Sequence, residues 1–268
     1  VIARTSGSGR PIVIIHGFGV DHRIMLPLEE TIGDRPWRRV YVDLPWAEGA
    51  PPSDAASALQ VASSVIDDVR SVLGEAPFAI IGNSFGAMIA RYVAHELREQ
   101  VLGLATLAGV FEPRHDARVV PPRQVLRVDE AVLDAAGDAR SDFAEVSVVQ
   151  DAASFAAFTE YVLPGLRGSD PAVIDRIAAD YTLPAVPELA HPEPFTLPAL
   201  HVFGRQDDVV GYEDGWRFRD HYPRGTYAVL DLAGHNVHLE QPQITTALIR
   251  DWLRRMDTDA ASTHSPGA

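Results

Sequence analysis

Six short apolar runs, bounded by turn residues and separated by segments of helical periodicity, constrain the fold of this chain more than any other feature. They lie at residues 12–15, 40–43, 78–81, 102–107, 200–203 and 227–232, and several are continuous rather than alternating. A strand that is apolar at successive positions hides both of its faces, as in a parallel sheet covered by helices on either side. Between the runs, 57–73 carries Leu59, Ala62, Val65, Ile66 and Val69, and 85–97 carries Met88, Ile89, Tyr92 and Val93, both at helical spacing. A last helix is expected after Gln241, with Pro242 near its first turn and Ile244, Leu248, Ile249 and Trp252 along it. Strands alternating with helices predict an α/β class chain, a mostly parallel central sheet flanked by helices.

The pattern breaks between residues 107 and 200, where no strand is evident and the periodicity is helical. Segments 127–136, 141–149, 154–163 and 170–181 are expected helices, the last with Asp170 as N-cap and Pro171 at its first position. Prolines 184, 187, 192, 194 and 198 then predict an extended return to the sheet. The expected organisation is a core of residues 1–110 and 198–256, a helical lid over 111–197, and a small, polar, mobile tail over 257–268.

Composition removes whole chemistries. There is no cysteine, and all 23 basic residues are arginine. Thiol nucleophiles, iron–sulfur ligation, Schiff-base catalysis and the lysine-dependent phosphate loop are thereby impossible. A formal net charge of −14 argues against nucleic acid as a partner. No apolar run approaches the roughly 20 residues of a membrane span, and residues 1–10 lack a signal-peptide pattern. The cytoplasm is the expected location, a small molecule the expected partner, and a monomer or homodimer the expected state.

What remains is serine, histidine and carboxylate chemistry. Gly82-Asn83-Ser84-Phe85-Gly86 follows one apolar run directly and precedes a helical segment. A residue on such a tight turn projects its side chain clear of the sheet, with glycines letting the two elements pass closely. The N–H of Phe85 then points into the same space, where it can stabilise an oxyanion. His16-Gly17-Phe18-Gly19 follows the 12–15 run; it either aims the Phe18 N–H at that point or simply makes a tight turn with His16 bonded to nearby backbone. Gly204-Arg205-Gln206-Asp207-Asp208 follows 200–203 and offers a carboxylate where sheet enzymes keep their sites, with the other aspartate a turn or cap residue. His235, after the last run, is placed to reach both a serine and an aspartate. His235 and His238 offer no third metal ligand, so neither a metal nor a cofactor is expected.

In type and order the segments at 16, 82 and 204, together with Gly-His-x-x-x-Leu-Glu-Gln-Pro from 234, resemble the α/β-hydrolase family over nearly the whole chain. The resemblance implies a Ser84-Asp207-His235 triad, an oxyanion hole from the Phe18 and Phe85 N–H groups, and a lid inserted after the family's sixth strand. Asp207 is preferred because family acids commonly stand three residues after the glycine ending that strand. Trp46 replaces a glycine usual after Asp-x-Pro; packing is its expected role. The implied activity is hydrolysis of a carboxylic ester, lactone or related acyl bond. Asn83 before the serine is similar to meta-cleavage product hydrolases, which makes carbon–carbon bond hydrolysis an alternative, and a non-catalytic ligand binder of the same fold is another.

Overall fold

The computed structural model describes the backbone of residues 1–263, with side chains through Asp259. Seven strands form the main sheet: β1 (Ile2–Ser6), β2 (Arg10–Ile15), β3 (Trp37–Val42), β4 (Phe78–Asn83), β5 (Val101–Leu107), β8 (Ala199–Gly204) and β9 (Gly225–Leu230). Their order is β1-β3-β2-β4-β5-β8-β9, with only β1 antiparallel to its neighbour. β4 and β8 are buried at every position, and β2 at all but Arg10. This is the burial their continuous apolar runs predict. All six runs are strands, with ends shifted by up to a few residues; the last stops at Leu230, short of Leu232, which turns the chain at a φ of +56°.

Parallel pairing lines up Ile15 with Gly82 and Asn83 with Leu107. The loops after β2, β4, β5, β8 and β9 therefore leave one edge of the sheet together, which is where an α/β sheet gathers polar chemistry. The Ala58–Leu73 helix starts on Ser57, whose hydroxyl accepts the Gln60 N–H, and stops at Gly74 with φ +57°. Trp252, fully buried on the final helix, anchors that helix through an indole N–H donated to the Pro198 carbonyl, 3.0 Å away.

The insertion between β5 and β8 is mainly helical but departs from the expected segments in three places. Residues 127–128 and 149, read from periodicity as helix ends, fall instead in β6 (Arg127–Val128) and β7 (Val149–Gln150), a two-residue parallel pair. The 154–163 helix begins at Ala152, because Asp151 caps it through the Ser154 N–H, and widens at Phe158–Val162 into a π-turn before Leu163–Gly168. The proline-rich return contains a helical turn, Pro187–Ala190, with Pro187 at its first position. Asp170 and Pro171 do start the Pro171–Ala178 helix as expected. Phe143 is fully buried against Phe155 and Phe158, a small core of the insertion's own.

The expected tail also differs. The final helix runs through Thr263, past the boundary placed at 257, because no breaker interrupts Asp257–Thr263 and two ion pairs hold its side, Arg10 with Asp257 and Arg224 with Asp259. Residues 264–268 of that tail lie outside the described residues.

One charged cluster is buried beneath the insertion. Arg91, on the Phe85–Glu96 helix, donates from Nε to Glu188 at 2.7 Å and from Nη1 to the Val110 carbonyl at 2.7 Å, and Tyr222 donates its hydroxyl to Glu188. Burial opposes ionisation of Glu188, but the Arg91 guanidinium and the Tyr222 hydroxyl outweigh it and hold the carboxyl at about 2.

Candidate active site

Ser84 sits between β4 and the Phe85–Glu96 helix at φ +53° and ψ −118°, a backbone conformation that L-residues rarely adopt. The turn is pinned to β5: the Ser84 N–H donates to the Leu107 carbonyl at 3.0 Å, and the Ser84 carbonyl accepts from Val110 at 3.1 Å. Two glycines make the crossing possible. A Cβ on Gly86 would stand 2.2 Å from the His16 carbonyl oxygen, and one on Gly82 would stand 2.2 Å from the Gly86 carbonyl oxygen. No side chain fits either gap.

From this turn, Ser84 Oγ reaches His235 Nε2 at 2.8 Å, and His235 Nδ1 reaches Asp207 Oδ2 at 3.0 Å and Oδ1 at 3.2 Å. Asp207 is fully buried, and its Oδ1 also accepts the N–H groups of Val209 and Val210 at 2.9 and 3.1 Å. These bonds fix the carboxylate's direction. Asp208 points elsewhere, 3.8 Å from Arg123 in a partly exposed ion pair. The residue pattern alone left two aspartates open at this loop and the family resemblance preferred Asp207; among the described residues it is Asp207 that meets the histidine.

The His16-Gly17 segment lies against the serine: a Cβ on Gly17 would stand 3.1 Å from Ser84 Cβ. His16 is indeed bonded to nearby backbone, Nδ1 to the Gly17 carbonyl at 2.8 Å and Nε2 to the Leu44 N–H at 2.9 Å. The turn reading and the loop's position beside Ser84 therefore hold together. Since Nε2 accepts, Nδ1 carries the proton, and burial lowers the ring's pKa to about 4. The Phe85 N–H opens its helix and is one of the amides that a helix leaves without an internal acceptor. The rings of Phe18 and Phe85 lie 5.3 Å apart, and Tyr181 from the insertion covers both at 5.3 and 5.0 Å.

Trp46 packs, as expected from its type: it is fully buried, edge-on to Phe18 and Phe85, and donates its indole N–H to the Val20 carbonyl at 2.8 Å. Asn83 is buried and donates to the Leu107 carbonyl at 3.1 Å, so its place before the serine is accounted for by bracing the turn. His238 donates to the Ile24 carbonyl from inside the core and does not converge with His235 on a common point for a metal. Among the described residues no cluster of three His, Asp or Glu side chains is arranged to hold a metal ion, and no helix is long and apolar enough to cross a membrane.

Sequence reasoning gave Glu240 no site role beyond its place in the Gly-His-x-x-x-Leu-Glu-Gln-Pro segment. Its carboxylate accepts the Gly234 N–H at 2.6 Å and the Val148 N–H at 2.7 Å. It thereby ties the residue before His235 to the insertion. Burial, with Asp207 nearby, raises its pKa despite those two donors. No periodicity carries this signal, because the bond joins residues 92 positions apart.

A nucleophile-base-acid chain with amide donors beside the nucleophile can carry out acyl transfer. The model of the "Alpha/beta hydrolase family" matches residues 12–248. Among curated relatives, the pimeloyl-[acyl-carrier protein] methyl ester esterase of Shewanella woodyi is 25% identical over 258 residues, covering 93% of this chain and 96% of that protein. Among solved structures, an alpha/beta superfamily hydrolase from Oenococcus oeni superposes with a TM-score of 0.89 at 23% identity, covering 95% of each chain. A thermophilic esterase from Thermogutta terrifontis superposes at 0.68 and 20% identity, covering 94% of this chain and 92% of that one.

Proposed function

We propose a serine-esterase mechanism for this chain, which belongs to the alpha/beta hydrolase family. The supporting observation is the unbroken hydrogen-bonded line from Ser84 through His235 to a fully buried Asp207. In this reading His235 Nε2 takes the Ser84 proton as Oγ attacks an ester carbonyl, and Asp207 holds the Nδ1–H and stabilises the imidazolium. The N–H groups of Phe18 and Phe85 receive the oxyanion. His235 then protonates the leaving alcohol, and a water activated by the same nitrogen releases the acid from Ser84. Every step uses only the chain, the substrate and water, and the insertion serves as the lid that excludes bulk solvent.

The substrate class we infer is a carboxylic ester of a small molecule. The Shewanella woodyi relative is named for a methyl ester, which places simple esters ahead of lactones and other acyl bonds. A small fluorophosphonate should add once to the protein and to Ser84 alone, as read by intact mass and peptide mapping. A well-folded protein that takes no adduct would sink this reading in favour of a ligand binder. The acid loop gives a sharper comparison. Asp207→Asn is expected to lower kcat roughly 10³- to 10⁴-fold, since the amide no longer enforces the productive histidine tautomer. Asp208→Asn, at a carboxylate that faces Arg123 rather than the histidine, should stay within about twofold. Equal losses from the two changes would contradict the assignment.

A further inference from the structure

Arg118 is a cation held in place by backbone carbonyls. Its Nε donates to the Glu112 carbonyl at 2.9 Å, its Nη1 to the Val209 carbonyl at 3.0 Å, and its Nη2 to the Pro113 carbonyl at 3.5 Å. Among the described residues no carboxylate pairs with it. Glu112 feels the Arg118 charge but directs its carboxylate to the N–H and Nε of Arg114 at 3.0 and 3.3 Å. Arg98 is held by backbone carbonyls in the same way, so what distinguishes Arg118 is its place near the serine. Carbonyls orient a guanidinium but leave its full charge for a ligand.

Its position links it to the serine from two sides. On one, its guanidinium carbon lies 5.8 Å over the ring of Tyr181, which packs on Phe18 and Phe85, the residues beside Ser84. On the other, the Val209 that it holds donates its own N–H to Asp207. Burial raises the Tyr181 phenol to about 12, against the opposing field of Arg118, so its O–H stays a donor at neutral pH. The field of Arg118, together with burial, lowers the neighbouring His115.

We propose that Arg118 and the Tyr181 hydroxyl form an anion-binding subsite of the Ser84 site, so that the preferred esters carry an oxyanion group, carboxylate or phosphate, remote from the scissile bond. This rests on the serine-esterase reading. A guanidinium and a phenol O–H converging beside an apolar aromatic wall match such a group: the wall takes the chain, and the two donors fix its charged end.

The test compares matched esters. For a charge on the acyl side, the 4-nitrophenyl monoester of adipic acid is set against that of adipic acid monoamide. For a charge on the alcohol side, the butanoyl ester of glycerol 3-phosphate is set against that of glycerol. The charged member should be preferred in kcat/KM by roughly tenfold or more in one pair, and that pair identifies the source of the anion. Arg118→Gln should erase most of the preference, chiefly through KM, and Arg118→Lys should restore part of it. No preference in either pair, or an equal loss on both members in Arg118→Gln, would overturn the proposal. If Ser84 takes no fluorophosphonate and every ester is inert, it is the esterase reading that fails. Calorimetric binding of adipate to the wild-type protein, absent in Arg118→Gln, then decides the subsite by itself: binding upholds it, and none refutes it.

Discussion

Ser84→Ala is expected to lower kcat by roughly 10⁴-fold or more while leaving the melting temperature within a few degrees of wild type. The magnitude follows from the part played by the hydroxyl. In the proposed mechanism the bond to the substrate carbonyl forms at Oγ, and no neighbouring group can replace it: among the described residues the only side-chain partner of Oγ is His235 at 2.8 Å. Residual turnover comes from amide donors and binding alone, as in other serine hydrolases stripped of their nucleophile. The small structural effect follows from the turn. Its strained φ of +53° is imposed by the crossing of Gly82 and Gly86 and by the bonds to Leu107 and Val110, all of which alanine keeps. Alanine at φ +53° is as strained as serine, so the change moves chemistry and not folding. Turnover within about tenfold of wild type in the variant would remove Ser84 from the mechanism.

The site was legible because its parts stand at the ends of strands, and strands announce themselves. Each run of buried residues fixed a strand end, and Ser84, Asp207 and His235 each follow one within a few positions. The choice of Asp207 over Asp208 lay outside periodicity, since both are acidic neighbours in one loop; backbone N–H groups from Val209 and Val210 select the first. The insertion was less legible. β6 and β7 are two residues each, too short to show alternation, and exist because the 126–129 segment lies alongside 148–150. Arg91 and Glu188 are 97 positions apart, and neither reads as a core residue by type. Such pairings belong to tertiary packing, where a buried arginine is stable only because a particular carboxylate arrives from elsewhere.

Acid should unfold this protein earlier than its carboxylates alone would require. Four histidines are almost wholly buried, and burial lowers each below the ordinary 6.5: His16, His95 and His238 to about 4, and His201 to about 3. The rings are neutral in the core, and their bonding explains why they resist a second proton. His16 Nε2 already accepts from Leu44, while His201 Nε2 and His238 Nδ1 face the interior with no hydrogen-bond partner among the described residues. A proton at the last two would be a buried donor with no acceptor. The unfolded chain takes protons near 6.5 and the folded chain only near 4, so between these values the unfolded state binds more, and stability falls as pH falls. It is fully present above about 6.5 and drains through the window down to about 4, or about 3 for His201. Glu188, held at about 2, adds a loss in the same direction below the ordinary carboxyl range. By pH 5 each histidine costs on the order of 2 kcal/mol, which for four is comparable to the whole stability of a typical domain. The melting temperature should therefore drop by about 15 °C or more between pH 7.5 and pH 5. A melting temperature flat to pH 4.5 would mean that these rings are charged in the fold or reached by water.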